Sequence, residues 1–339
     1  MTRTTPPRGH ADPDRPMPDP QMPRGKDGEP HYTTWLVVRY QAGDTGGRPL
    51  APGAVFWESP DVWTQGSQGT NQPVVDEPTQ VFARVTNLGM QDATGVTIKY
   101  WWADPSVAIV EDPTKLIGEI ANAVIPSNNS LVFQCPADWI PIEVNNGHEC
   151  LVAEAYIPVF DGLTDPMHPV GDRHVGQKNE QLIQLQPGQQ LHFPVLAHNF
   201  TRAEQQVIVE VHQGLLPRDF AHRFGRPGMW SQPLFDPIRP MAVDLHVERR
   251  RLRLAEPSEK AAARLAHAGR EAGASCFGAP LTRSTASFQP HEVRRVTLSG
   301  ALPPSAQPDE VYTMRIIQRI GEVVAGGYTL YVTRARSRR

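Results

Sequence analysis

Cysteine, long apolar runs and net charge are all scarce in this chain of 339 residues, and each scarcity narrows the class of protein. The three cysteines, Cys135, Cys150 and Cys276, include no CxxC pair, which argues against a disulfide scaffold and a cysteine zinc site. We expect Cys135 and Cys150 to be buried free thiols, although neighbouring strands could bring them together. No apolar run approaches the ~18 residues of a membrane span. A formal net charge of −3 gives no global attraction to nucleic acid.

The sequence motifs of familiar catalytic sites are also missing. The zinc-protease motif HExxH, the nucleophile motif GxSxG, the phosphate-loop motif GxxxxGK and a strand-linked GxGxxG do not occur. We therefore expect a non-catalytic protein that uses no cofactor.

Glycine and proline, in contrast, are abundant, and together they make up 18% of the chain against a usual ~12%. Both residues interrupt helices, so the composition argues against a coiled coil and favours short strands joined by turns. Hydrophobic residues make up 39%, which is enough for packed cores. At ~150 residues per domain, the length predicts two domains.

The two ends of the chain differ in composition from the rest. Residues 1–30 contain eight prolines and few apolar side chains, which predicts a disordered, extended tail. They contain no apolar segment of a secretory signal, so the compartment stays open between the cytoplasm and export by a non-classical route. Residues 334–339 carry four arginines and no acid, a basic tail that could contact a polyanion.

Alternation of apolar and polar residues predicts strands along most of the chain. In the first half, the predicted strands are 31–40, 80–86, 95–103, 116–125, 130–135, 149–157 and 181–185. In the second half, they are 191–197, 207–211, 243–247, 292–299, 310–320 and 323–332. Pro194 lacks an N–H and should place its strand at a sheet edge. Gly321 is typical of the tight turn of a hairpin.

One segment departs from this alternation. Residues 257–273 are rich in alanine, open with Pro and Ser and end in Gly, which predicts a short helix. We therefore predict an all-β protein with two tandem immunoglobulin-like antiparallel β-sandwich domains, over 31–186 and 187–333, the second with a helical crossover. The strand 181–185 should close the first domain.

The candidate binding site lies in the segment 215–240, where aromatic side chains alternate with arginines. Its residues are Phe220, Arg223, Phe224, Arg226 and Trp230. This composition is typical of interface hot spots and of single-strand stacking platforms. Two interpretations stay open: the segment binds another protein, a nucleic acid or a glycan, or its aromatics attach a long loop to the sandwich or to the cleft between the domains.

A second polar group lies in the loop 161–174. It consists of Asp161, Asp165, His168, Asp172 and His174. Carboxylates and imidazoles can hold a divalent ion, although this spacing matches no known ligand frame and turn chemistry also explains the loop. Among the other histidines, His192 and His212 alternate with apolar neighbours and should face solvent. The stretch 248–253 is expected to be a solvated strand end.

The first domain resembles a known family. The stretches SPDVW, QVFARVTNLGMQDATGVTIKYWW, GHECLVAEAY and DRHVGQKNEQL occur in that order. They are similar to the bacterial Ig-like sandwich domains of the cell-adhesion-related (CARDB-like) type, over about 58–186. In that family a V-x-V-x-N-x-G strand and turn leads into a strand that ends in tyrosine or tryptophan; here these are residues 82–89 and 96–102. The resemblance implies a β-sandwich that serves as a spacer or adhesive module.

These observations predict a non-catalytic binding or structural module. Its partner would be another protein or further copies of the chain, docked through strand edges or through the segment 215–240. Two alternatives stay open: a metal-dependent hydrolase that uses the loop 161–174, and a polyanion-binding protein that uses the basic C-terminal tail.

Overall fold

The structure, a computed structural model, describes residues 33–103, 112–142, 149–225, 230, 232–252 and 277–335. Over these ranges the protein is nearly all β, as predicted, with a short helix α1 (Phe220–Arg223) and a 3₁₀ turn (Pro113–Lys115). No helix in the described ranges is long and apolar enough to cross a membrane. The predicted tail 1–30, the predicted helix 257–273, Cys276 and residues 336–339 lie outside the described residues.

Nine strands form the first sandwich. They are β1 (Leu36–Val37), β2 (Val62–Gly66), β3 (Gly69–Thr70), β4 (Gln80–Asn87), β5 (Ala93–Ala103), β6 (Leu116–Ile125), β7 (Asn129–Gln134), β8 (Cys150–Tyr156) and β9 (Val175–Lys178). One sheet is built around β4, which pairs with β1 and β2 on one side and with β7 on the other; β3 extends β2. The second sheet has the order β6-β5-β8-β9.

The core of this sandwich follows directly from the alternation in β4 and β5. Val81, Ala83 and Val85 are buried, whereas the side chains between them face outward. On β5, Ile98 and Tyr100 close the core from the opposite sheet. Cys135 and Cys150 are both buried and are not joined to each other by a disulfide.

Eight strands form the second sandwich. They are β10 (Glu180–Leu185), β11 (Gln190–His198), β12 (Gln205–Gln213), β13 (Val243–Leu252), β14 (Thr282–Phe288), β15 (Val293–Ala301), β16 (Val311–Ile320) and β17 (Val323–Arg334). The sheet orders are β11-β15-β13 and β10-β17-β16-β12-β14. Pro194 lies on the edge strand β11, as predicted, and Gly321 takes a positive φ of 59° in the two-residue turn between β16 and β17.

The two sandwiches repeat one topology. The antiparallel order β6-β5-β8-β9 of the first matches β14-β12-β16-β17 of the second, and the pair β4-β7 matches β11-β15. A buried asparagine ends β4 at Asn87, and another, Asn199, directly follows β11. Each side-chain oxygen accepts the N–H two residues further on at 3.0 Å, and each amide donates to the carbonyl four residues further on at 2.8 Å. The same turn therefore follows the equivalent strand in both halves.

Several strand assignments need correction. The prediction that 181–185 closes the first domain is wrong, because β10 pairs with β17 in parallel and belongs to the second sandwich. In the predicted strand 31–40, of which the structure describes residues 33–40, Leu36–Val37 is the described part that forms a strand. The hairpin of β2 and β3, and the strands β9 and β14, were not predicted. The division at residue 186 stays a prediction, and we propose a boundary at Asn179, which alone separates β9 from β10.

The sandwiches are interlocked at this boundary. The N–H of Asn179 donates to the carbonyl of Trp57 at 2.8 Å, and its own carbonyl accepts from the N–H of Thr329 at 2.9 Å. Trp57 is fully buried, and its indole N–H donates to the hydroxyl of Thr329 at 3.0 Å. Along the chain, Asn179 alone thus connects the two sandwiches, and its N–H bonds to the first sandwich while its carbonyl bonds to the second.

Candidate functional site

The segment 215–240 folds over one side of the second sandwich, and most of its predicted binding residues point inward. Phe220 and Phe224 lie four residues apart on and just after α1, so their rings share one face of the turn. Both are buried against Tyr331, with ring centroids 5.0 and 5.2 Å from it. Trp230 is half-buried beside Phe220, at 5.7 Å between ring centroids. This packing agrees with the interpretation that the aromatics attach the loop to the sandwich.

Arg223, the next predicted residue, is held within the molecule. Its guanidinium forms ion pairs with Asp219 at 2.9 Å and with Glu180 at 3.1 Å, and it donates to the carbonyl of Glu58 at 3.3 Å. Burial disfavours the charged form, but Glu180, Tyr331 and Asp219 together outweigh it and raise the pKa of Arg223. Arg226 lies outside the described residues. The four described members of the predicted site are thus brought together, with their side chains directed largely into the protein.

Arg223 belongs to a group of charges buried between the sandwiches, which we call the junction cluster. Its members are Glu58, Lys178, Glu180, Arg223 and Arg315. Glu180 lies at its centre, where it binds the ammonium of Lys178 and accepts a hydrogen bond from the hydroxyl of Tyr331 at 3.0 Å. Glu58 accepts from Arg315 at 2.8 Å and from the hydroxyl of Thr329 at 2.6 Å. Each charge therefore faces an opposite charge, and the two arginines pair with glutamates that are distant in the chain.

The pKa shifts in the junction cluster follow from this geometry. Burial lowers the pKa of Lys178, although Glu180 counteracts the effect. For Arg315, burial also disfavours the charge, but Glu58 outweighs it and raises the pKa. Perturbed pKa values mark functional sites in some proteins and structural ion-pair networks in others. Because the charges pair with one another across the junction, this cluster stabilises the contact between the sandwiches.

The same segment exposes three large apolar side chains, which we call the apolar patch: Leu215, Phe235 and Ile238, with 76%, 44% and 96% of each exposed. The N–H of Leu216 donates to the carboxylate of Asp236 at 3.1 Å, which brings residue 215 beside residues 235–238. Phe235 is fixed in turn, because its N–H donates to the carbonyl of Asp309 and its carbonyl accepts from the N–H of Val311. The sequence interpretation missed Leu215 and Ile238, since it followed only aromatics and arginines.

Exposed cations lie close to the apolar patch along the chain. Arg218 follows Leu215 by three residues, and Arg239 follows Ile238 directly; both are exposed. Exposed apolar side chains with polar or charged residues at their margin are typical of interaction sites. This part of the segment differs from the predicted combination of aromatics and arginines, because two of its three apolar side chains are aliphatic.

The acidic loop 161–174 is closed by its own hydrogen bonds. His174 is buried between two carboxylates, with Nδ1 2.6 Å from Asp172 and Nε2 3.0 Å from Asp161. Asp172 also accepts from the backbone N–H groups of residues 164 and 165, and Asp165 pairs with His168 at 2.6 Å. Within the part of the chain that the structure describes, no three such groups converge as metal ligands do.

The pKa values of this loop shift together. Burial alone would lower the pKa of His174, but its hydrogen bonds to Asp161 and Asp172 outweigh burial and raise it. Burial likewise opposes the charge of Asp172, yet the hydrogen bond and the charge of His174 hold the pKa of that carboxyl well below its usual range. The arrangement favours an imidazolium between two carboxylates.

The remaining histidines separate into two groups. His192 is exposed, as predicted. The prediction that His212 faces solvent is wrong, because Phe277 covers its ring at 5.5 Å between centroids and Glu210 pairs with it at 3.1 Å. His198 is also buried, and burial lowers its pKa to about 4. Arg249 and Arg250, in the basic stretch 248–253, are exposed.

No protein-family model and no curated protein matches the chain. Among solved structures, a family 123 glycoside hydrolase from Clostridium perfringens aligns with 47% of this chain and 23% of its own, at 10% identity and a TM-score of 0.24. The red sea bream transglutaminase aligns with 82% of this chain and 31% of its own, at 10% identity and a TM-score of 0.20. The collagen adhesin of S. aureus aligns with 85% of this chain and 96% of its own, at 6% identity and a TM-score of 0.21.

The chain spans about a quarter of the length of the hydrolase and about a third of that of the transglutaminase. At these TM-scores, the similarities carry no argument about fold or function. The all-β assignment rests on the strands and sheets described above.

Proposed function

We propose that the protein is a non-catalytic binding module that docks another protein on the apolar patch of the segment 215–240. The observation that supports this most directly is the exposure of Leu215 and Ile238 on a segment whose residues Phe220 and Phe224 are buried against the second sandwich. Exposed apolar side chains that occur together are typical of interaction sites.

The packing beneath the patch supports the same proposal. Phe220 and Phe224 anchor α1, and the hydrogen bond from Leu216 to Asp236 joins the two ends of the segment. An anchored surface loses little conformational entropy on binding, because its backbone is already ordered before the partner arrives. In this proposal, the residues predicted from the sequence act as the foundation of the site and the aliphatic residues above them make the contact.

The resemblance of residues 58–186 to the CARDB-like type agrees with a module of this kind. Its quoted motif has a structural role in this chain, since Asn87 forms the buried turn that ends β4. We extend the adhesive or spacer role of that type to this protein as part of the proposal. A glycan is the alternative ligand for the same segment.

The test compares proteins captured by the wild-type chain with those captured by Leu215→Ser/Ile238→Ser. Both side chains are exposed, so the variant should keep the melting temperature of the wild type. Phe160→Ser is the matched control, because that side chain is 85% exposed but lies on the first sandwich. A protein retained by wild type and control is then purified, and its dissociation constant is measured by titration calorimetry.

We expect the double variant to weaken this purified complex by about tenfold or more, since hot-spot truncations cost upwards of ~1–2 kcal/mol. Equal affinity for wild type and double variant would refute the proposal. Binding of a purified oligosaccharide that is lost only in the double variant would assign the patch to a glycan.

A further inference from the structure

The strand β7 presents one open edge. Asn129–Gln134 pairs with β4 in unbroken register, from Phe82 opposite Gln134 to Asn87 opposite Asn129. The N–H of Cys135 donates to the carbonyl of Val81 at 2.8 Å, so odd-numbered residues bond to β4. By the alternation of an antiparallel ladder, the backbone groups of Ser130, Val132 and Gln134 then point away from β4. Among the described residues, no strand pairs with that side.

In the second sandwich, the edge that is equivalent to the outer edge of β7 is paired with a further strand. Its counterpart of β7 is β15, which pairs with β11 in the same way that β7 pairs with β4. On its other side, however, β15 pairs with β13 along Val243–Leu252. Over its described residues, the first sandwich thus has the same sheet without that additional strand. The outer edge of β7 offers backbone groups, and sets a direction, that suit a further strand.

Three other sheet edges of the described chain, those of β11, β13 and β6, carry features that hinder strand addition. Pro194 interrupts the edge strand β11, and β13 has a register shift and three successive arginines, 249–251. On β6 the pairing shifts three times and Asn122 takes a positive φ of 59°. In contrast, β7 (NSLVFQ) has no charge, no proline and no register shift. Edges of this composition pair readily with a further strand.

We propose that β7 pairs with β7 of a second copy of this chain, antiparallel about Val132, and joins the two sheets into one. This register places Val132 opposite Val132 of the second copy and Ser130 opposite Gln134 of the second copy. Three opposed pairs, each exchanging two backbone hydrogen bonds, give roughly six bonds. The proposal rests on the edge of the first sandwich and is independent of the apolar patch.

The side chains of β7 are complementary to themselves in this register. Val132 is 50% exposed at the centre of the strand, and the same residue of the second copy would cover it. Leu131 and Phe133 already pack partly against the core. In this register, Leu131 would lie opposite Phe133 of the second copy, and Phe133 opposite Leu131 of the second copy. The hydrophobic cores of the two copies would therefore be continuous across the two-fold axis. Serine and glutamine face each other at both ends. No charged side chain on β7 opposes a like charge.

The nearest charge on the outer face is Arg84, which lies opposite Val132 on β4. In the paired sheet, Arg84 of the second copy would lie three strand spacings away, roughly 14 Å. Like charges at that distance are largely screened at physiological salt. Electrostatic repulsion therefore does not oppose the pairing, and a charged foreign strand would gain no counter-charge from β7 itself.

The experiment measures the mass of the full chain by sedimentation velocity over a wide concentration range. Val132→Lys places two ammonium groups beside each other at the dyad, and Gln134→Pro removes an outward N–H that β4 does not use. Val124→Lys is the matched control, because Val124 is 52% exposed on β6. Melting temperatures of all four proteins check that each variant is folded.

We expect a concentration-dependent dimer for wild type and control, and a dissociation constant raised about tenfold or more in both β7 variants. A wild-type chain that stays monomeric at every concentration overturns the proposal, and so does a dimer that survives both β7 variants. A chain that stays monomeric but binds an unrelated peptide with alternating apolar residues, and loses it in Gln134→Pro, would assign the edge to a foreign strand and refute self-pairing.

Discussion

Replacement of Gly327 by alanine should disrupt the contact between the sandwiches, because the indole of Trp57 lies directly against that backbone. A Cβ built on Gly327 would lie 2.3 to 2.5 Å from three carbon atoms of the indole, far inside van der Waals contact. The ring is rigid and fully buried, and its N–H is bonded to Thr329 at 3.0 Å, so it cannot move aside cheaply. Glycine is thus required here for close approach.

The expected magnitudes follow from the two components of this contact. Overpacking by one methyl costs about 1–3 kcal/mol, and this site lies at the upper end because backbone or ring must shift by about 1 Å. Trp57→Ala alone should cost about 3–5 kcal/mol through the cavity it leaves. In the double variant the methyl occupies part of that cavity. The double variant should therefore be destabilised by at least about 1 kcal/mol less than the sum of the two single-variant penalties.

Urea unfolding followed by far-UV circular dichroism measures these free energies without relying on tryptophan emission. Gly162→Ala is the matched control, because the nearest atoms to its added Cβ lie 3.8 and 3.9 Å away. The control should unfold close to the wild-type midpoint. Full additivity of the Gly327 and Trp57 penalties, or a Gly327→Ala variant as stable as the control, would refute the inferred contact.

Three further predictions concern the buried charges. Glu180→Gln should destabilise the folded protein by about 3–5 kcal/mol, because it leaves Lys178 without its counter-charge. Lys178→Met should cost much less, since Glu180 keeps its bonds to Arg223 and Tyr331. Urea midpoints in the reverse order would contradict this prediction. The interactions that raise the pKa of His174 stabilise the fold fully below its unfolded-state pKa of ~6.5, and this stabilisation is lost as pH rises through the higher folded-state pKa. His174→Gln should therefore flatten the fall of melting temperature as pH rises above ~6.5. Chelation with EDTA should leave the melting temperature unchanged, because the carboxylates of the loop 161–174 already bond to protein groups; stoichiometric zinc or calcium in the purified protein would instead favour the metal-dependent hydrolase.

Most strands could be predicted because one face is buried and the other is wet. This holds for β4 and β5, whose alternation survives in the observed burial. It fails for β9, where all four residues are buried and both faces are covered, and for β14, which has only small and polar residues along most of its length. Alternation shows which face of a strand is buried, but it does not show which strand pairs with it. For this reason β10 was predicted as a strand but was assigned to the wrong sandwich.

The repeated turn shows how a sequence signal can be present and still be missed. Asn87 and Asn199 each follow an alternating apolar run, but their turns continue as Asn-Leu-Gly and Asn-Phe-Thr. Only the asparagine is shared, because its amide makes the bonds that define the turn and the neighbouring residues are free to differ. A single matching residue in each half is too little for sequence comparison, whereas the hydrogen bonds match position by position.

The sequence indicated the segment of the candidate site, but not the direction in which its aromatic side chains point. Phe220 and Phe224 are spaced by four residues, which is the signal of a helical turn with one apolar face, and that face is buried. What lies beneath it comes from β10 and β17, distant in the chain, and no local pattern shows that a partner is already present. His212 was misplaced for the same reason, since Phe277 covers it from 65 residues further on.

The apolar patch and the open edge of β7 belong to different sandwiches, and the junction between them determines what the two can do together. Because the chain crosses at one bonded residue and buried charges pair across the boundary, the sandwiches have little freedom to move independently. Two copies joined at β7 would then hold two apolar patches at a fixed separation. A partner with two matching sites would bind the second patch at a high effective concentration, so pairing at β7 would strengthen binding at a surface that it does not touch.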